Sequence, residues 1–265
     1  MNTKITVLSL LAAMMLMVSA CTSADVEPEY VERPVDDIYN EALNVLQSGD
    51  YKLAAVMFDE VERQHPYSSW ANKAQLMSAY AYYQNDAYDS AIIALDRFIQ
   101  LHPSSPDVPY AFYLKALCYY EQISDVARDQ KMTELAMQTL DELVRRFPTS
   151  KYAKDAKLKR DLTRDHLAGK DMEIGRYYLR QGHYLAAINR FKSIIDTYQT
   201  TTHSAEALHR LVEAYIALGL HKEAQKVAAV LGHNFPGSEW YVDSYQLVEG
   251  KLVRPEEGDP WYSLW

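Results

Sequence analysis

Cysteine is almost missing from this 265-residue chain: only Cys21 and Cys118 occur, so no disulfide framework can be built. Glycine is scarce as well, and the nine present form neither a phosphate-cradling loop nor a serine elbow. An excess of basic charge is also lacking. The formal net charge of −9 excludes the cationic footprint that non-specific nucleic-acid binding requires. The eight histidines (His65, His102, His166, His183, His203, His209, His221 and His233) include no i, i+4 pair and no HExxH motif. Neither a catalytic centre, a metal site nor a cofactor is expected, and the chain reads as a non-enzyme. The apolar run at residues 5–18 is shorter than the roughly 20 residues needed to span a bilayer.

What the chain does have is a repeat. In residues 80–103, YAYYQNDAYDSAIIALDRFIQLHP, an alanine stands twelve positions before a proline and a bulky residue stands eight before it: Ala91, Leu95 and Pro103. The rule recurs at Ala54, Phe58, Pro66 and at Ala136, Leu140, Pro148, then more loosely at Ala187, Phe191, Gln199 and at Ala224, Ala228, Pro236. A helix–turn–helix period near 34 residues with small and bulky positions of this kind is the tetratricopeptide pattern. The predicted fold is therefore all-α: a superhelical solenoid of five helix–turn–helix repeats with a C-terminal capping helix.

Proline and glycine punctuate the array. The first pair breaks at Gly49-Asp50, and its second helix, residues 51–64, ends before Pro66 because a residue preceding proline is pushed out of helical geometry. Repeat three is longer by eight residues, which fall in a polar insertion at 123–130. Ala136 to Ala187 spans 51 residues without a proline between 152 and 181, predicting one extended helix there, bent near Gly169 or Gly175. Gly182 and Gly219 mark the last two turns, and residues 239–248 form the cap that a solenoid end requires. Within the pairs, Ala42, Ala79, Ala116 and Gly175 are expected to face Ala54, Ala91, Ala136 and Ala187. Cys118 is expected to be a small buried hydrophobe.

Twenty-one tyrosines need a reason. Positions flanking the small residue of each first helix line the concave wall. They hold Tyr39, Leu43 and Leu46 in repeat one, Leu76, Tyr80 and Tyr83 in repeat two, and Tyr110, Tyr113, Leu117 and Tyr120 in repeat three. Such a groove suits an extended apolar or aromatic ligand, since tyrosine rings pack on side chains while their hydroxyls bond a peptide backbone. The same residues could instead complete packing between repeats. A basic run with Lys154, Lys157, Arg160 and Arg164 has two readings: a solvated face laced with ion pairs, or a docking patch for an acidic partner or lipid headgroups.

At the N-terminus, Lys4, the apolar run and Val18-Ser19-Ala20-Cys21 resemble a bacterial lipoprotein signal. The resemblance implies removal of residues 1–20 and an N-palmitoyl, S-diacylglycerol Cys21, and Thr22 after the cysteine favours the outer membrane. Residues 21–35 read as a flexible tether and 251–265, ending WYSLW, as a flexible tail.

The segments LDRFIQLHPSSPDVPYAFYLKAL (95–117), RDQ (128–130), FPTSKYAKDA (147–156) and YYLRQGHYLAAINRF (177–191) resemble the BamD, or ComL, family of outer-membrane-protein assembly lipoproteins. That resemblance implies a lipid-anchored scaffold at the periplasmic face of the outer membrane. In it, repeats one to three (36–150) receive unfolded β-barrel clients, while repeats four and five with the cap (151–250) dock on the POTRA region of BamA and on accessory Bam lipoproteins. The competing readings are a peptidoglycan-binding or a pilotin-type tetratricopeptide lipoprotein.

Overall fold

Helix ends are where this sequence controls its own architecture. The computed structural model describes residues 32–250, which form eleven α-helices and no strand. The expected signal, Cys21, most of the tether and the tail lie outside the described residues. The helices pair in order: α1 (Val35–Gln47) with α2 (Tyr51–Gln64), α3 (Ser69–Gln84) with α4 (Tyr88–Leu101), and α5 (Val108–Tyr120) with α6 (Lys131–Arg146). Then come α7 (Ala153–Arg180) with α8 (Tyr184–Thr197), α9 (Ser204–Ala217) with α10 (His221–Asn234), and finally α11 (Glu239–Glu249). Each helix packs mainly on its sequence neighbours, as a solenoid requires.

The second helices stop in one conformation. His65, His102, Phe147 and Phe235, each followed by proline, have φ between −135° and −126° and ψ between 52° and 58°. The proline ring bars helical geometry at the residue before it, so the chain turns at the same point in four repeats. Within four of the pairs, the turn holds one left-handed residue. Gly49, Gly182 and Gly219 supply it at φ +89°, +73° and +73°, and Asp86 does so at +56°. Repeat three lacks that residue. Its insertion takes over, held by the Gln130 side chain donating to the carbonyls of Asp125 (3.1 Å) and Arg128 (3.1 Å), and by Lys170 of α7 donating to Ala127 (2.9 Å).

Between the helices of each pair, Ala42, Ala54, Ala79, Ala91, Ala116, Ala136 and Ala187 are all fully buried, as close helix approach demands. In repeat four the small position is Gly175, where even a methyl group would meet the Phe191 ring. Phe58, Leu95, Leu140 and Phe191 are likewise fully buried. Three apolar clusters result, over α1–α3, α3–α7 and α7–α11. Cys118 is fully buried in the middle one, and burial pushes its thiol up to about 12. The helix expected at 152–181 is present as α7, 28 residues long. No helix among the described residues is long and apolar enough to cross a membrane.

Candidate functional site

The first helices α1, α3 and α5 present their expected groove residues as a half-buried layer: Tyr39, Leu43, Leu76, Tyr80, Tyr83, Tyr113 and Tyr120 are all intermediate in exposure. Most of them divide between two packed clusters. Tyr39 and Leu43 belong to the N-terminal cluster, where the Tyr39 ring lies 5.4 Å from Phe58 and 4.7 Å from Trp70. Burial raises its phenol pKa. Leu76, Tyr80, Tyr83, Tyr110 and Tyr113 instead pack on the middle cluster.

Around those residues the tyrosines converge. Tyr110 is raised well above the usual phenol range, first by burial and then by the neighbouring phenols of Tyr80, Tyr152 and Tyr83. Tyr152, at the entry to α7, lies 5.4 Å from Tyr110 and stacks on Tyr113 at 5.1 Å. Tyr83 contacts Tyr88 at 5.9 Å. Sequence reasoning did not include Tyr152, because the groove was read only from the first helices of repeats one to three. The aromatic FPTSKY segment beside an expected helix start was the available signal.

One edge of this wall is tied down by α7. The Tyr113 hydroxyl donates to Asp155 Oδ2 at 2.6 Å, and Lys159 pairs with the same carboxylate at 3.2 Å. The bond from Tyr113 is the main cause of the lowered Asp155 pKa; burial opposes it and Lys159 adds to it. Lys159 Nζ also lies 5.5 Å from the centre of the Tyr120 ring. Tyr120 also lines a small cavity with Glu121, Ile123, Leu162, Thr163 and His166. The arrangement has no nucleophile–base pair; it can hold an apolar or aromatic segment and bond its backbone.

The same helical positions carry different chemistry in repeats four and five. Arg176 and His209, Glu213 occupy the register that Tyr80 and Leu76, Tyr80 occupy in repeat two. Arg176 forks onto Glu206, and Arg210 bonds Glu206 (3.3 Å) and Glu213 (2.9 Å). Burial works against the Glu206 carboxylate, but the two arginines outweigh it and hold the pKa low. His209 donates to or accepts from Ser244 of α11 at 2.9 Å, and Trp240 of α11 lies 5.3 Å from its ring and 5.4 Å from the Arg210 guanidinium. The cap is pinned on this polar cluster.

The four residues of the basic run have separate fates. Arg160 pairs with Asp161 (2.9 Å) and Asp141 (3.7 Å), and Arg164 donates to the Thr197 carbonyl at 2.8 Å. Lys154 and Lys157 are exposed, without an ion-pair partner among the described residues.

A family model described as "Outer membrane lipoprotein" matches residues 31–231 of this chain. Among curated proteins, the outer membrane protein assembly factor BamD of Caulobacter vibrioides is 51% identical over 240 residues, covering 90% of this chain and 79% of the relative. The BamD proteins of Rickettsia prowazekii and Neisseria gonorrhoeae are 47% and 36% identical, covering 91% and 94% of this chain and 96% of each relative.

Proposed function

The chain belongs to the BamD family of outer membrane lipoproteins, and from that premise we propose that it recognises unfolded outer-membrane β-barrel proteins and passes them to the insertase BamA. Its work is non-enzymatic, carried out at the periplasmic face of the outer membrane, where a lipidated Cys21 tethers it. Two or more acyl chains anchor a soluble body stably, at about 0.8 kcal/mol per buried methylene. Repeats four and five, with accessory lipoproteins, hold the POTRA region of BamA.

The observation that carries this reading is the wall of Tyr80, Tyr83, Tyr110, Tyr113 and Tyr152 on consecutive repeats. An extended strand whose end carries an aromatic residue can stack on these rings, and its unpaired backbone groups can bond tyrosine hydroxyls. The contrast with repeats four and five supports a division of labour. There Arg176, Glu206 and Glu213 are engaged in ion pairs, and α11 packs on His209 and Arg210.

Photocrosslinkers at Tyr80 and at Tyr83 test the assignment. Capture of the final strand of a barrel precursor supports it; capture only from positions in repeats four and five overturns it. Cys21→Ser is expected to release the protein from membranes while leaving its helical circular dichroism unchanged.

A further inference from the structure

Helix α7 is 28 residues long, whereas the other helices have 11 to 16. Its buried stripe runs through Ala153, Ala156, Thr163 and Leu167. The other side of its first half carries Lys154, Lys157, Leu158, Asp161 and Leu162, which share one face by helical periodicity. Leu158 is 60% exposed and Leu162, one turn further on, 52%. Isolated exposed leucines need no explanation, but two stacked on one face beside a cavity form a patch.

Leu162 is also part of the wall of that cavity, about 290 Å³ in volume, with Tyr120, Glu121, Ile123, Thr163 and His166. Its size fits a side chain rather than a cofactor. His166 Nε2 is buried with no hydrogen-bond partner among the described residues, an uncommon state for a polar atom. Further toward the start of the helix, part of the basic charge is unspent. Lys159 and Arg160 are engaged by Asp155, Asp141 and Asp161, whereas Lys154 and Lys157 are not ion-paired among the described residues.

We infer that this face of α7 docks an acidic segment of a partner protein. One bulky side chain of that segment enters the Tyr120–His166 cavity, and its carboxylates meet Lys154 and Lys157. Charge complementarity selects the occupant: a chain of net charge −9 repels an acidic segment over most of its surface, whereas here Lys154 and Lys157, not ion-paired among the described residues, stand within one turn of Leu158 and outnumber the single carboxylate of the cavity wall, Glu121. The centre supplies affinity by desolvation of the two leucines, and the rim supplies register. The inference rests on the reading above that repeats four and five hold an insertase, and it names the residues that do so.

The test is binding of the purified periplasmic region of BamA to the full mature chain, measured by calorimetry at low and high salt. Leu158→Ala/Leu162→Ala is expected to weaken binding about tenfold or more at both salt levels. Lys154→Glu/Lys157→Glu is expected to weaken it by a similar factor at low salt and far less at high salt, where rim charges are screened. All four side chains are exposed, and unchanged circular dichroism and melting confirm that the variants fold. Wild-type affinity in both variants overturns the α7 assignment while leaving the assembly reading standing; no binding by the wild type overturns both. A photocrosslinker at Leu158 in the same mixture identifies the occupant. A bond to BamA supports the inference, and a bond to this chain's own residues 251–265, to a second copy or to lipid overturns it.

Discussion

Two glycines of α7 should respond in opposite ways to the same substitution. A Cβ added at Gly175 would lie 2.9 Å from Cδ1 and Cζ of Phe191 and closer still to Cε1. Phe191 is fully buried between α7 and α8, so its ring cannot swing away without separating the pair. Alanine gains about 1 kcal/mol over glycine in a helix interior. Overpacking a dense core costs about 1–3 kcal/mol. The clash therefore wins, and Gly175→Ala is expected to destabilise by up to about 2 kcal/mol. At Gly169 the added Cβ would stand 3.2 Å from Nε2 of His203, a partly exposed side chain that can shift by tenths of an ångström. There the propensity gain prevails, and Gly169→Ala is expected to stabilise by up to about 1 kcal/mol. Urea unfolding followed by circular dichroism measures both, compared by midpoint at equal slope. A double-mutant cycle with Phe191→Leu isolates the contact, which should couple to Gly175→Ala by more than about 0.5 kcal/mol in the relieving direction. A Gly175→Ala protein as stable as the wild type, or zero coupling, would refute the close-packing reasoning.

Other perturbations act on the polar ties. Tyr113→Phe removes the main cause of the low Asp155 pKa, so NMR titration of that carboxyl should show it rising toward its ordinary value near 3.8; no movement would contradict the bond. Glu206→Gln strips one buried carboxylate from between Arg176 and Arg210 and is expected to cost about 3 kcal/mol, read from thermal melting. Because the folded-state pKa of Glu206 is depressed, its contribution is complete above the unfolded value and is lost as pH falls through the folded one. Hydrogen exchange should accordingly show α9 and α11 loosening on acidification, and less pH dependence there in Glu206→Gln. In a Cys21→Ser chain, Cys118 should react with a thiol reagent only at the rate of unfolding, since its thiol is buried and pushed up to about 12.

The array itself was legible because its punctuation is local. A proline fixes the residue before it, and a left-handed turn needs glycine or its rare substitute, so pairs end where Pro66, Pro103 and Pro148 stand and turn within themselves at Gly182 and Gly219. The length of α7 followed from the absence of such a signal. The site was legible only as a register. Helical spacing says that Tyr39 and Leu76 occupy equivalent positions, but Trp70 draws Tyr39 into a different cluster, a contact between helices that spacing within one helix does not encode. Tyr152 joined the wall from outside the register. The basic run reads as a single face only while α7 is considered alone. Asp141 of α6 takes Arg160, and the Thr197 carbonyl at the end of α8 takes Arg164. His166 is invisible in the sequence, because its missing partner is a property of packing.

Client recognition by the tyrosine wall is the central claim, and a labelled peptide matching the aromatic-ended final strand of a β-barrel protein tests it most directly. Fluorescence anisotropy should show binding to the mature chain that Tyr80→Ala/Tyr83→Ala weakens about tenfold or more. Substituting Tyr177, an exposed tyrosine of repeat four, should leave it unchanged. Equal binding by the Tyr80/Tyr83 variant, or loss confined to the Tyr177 variant, would contradict the claim.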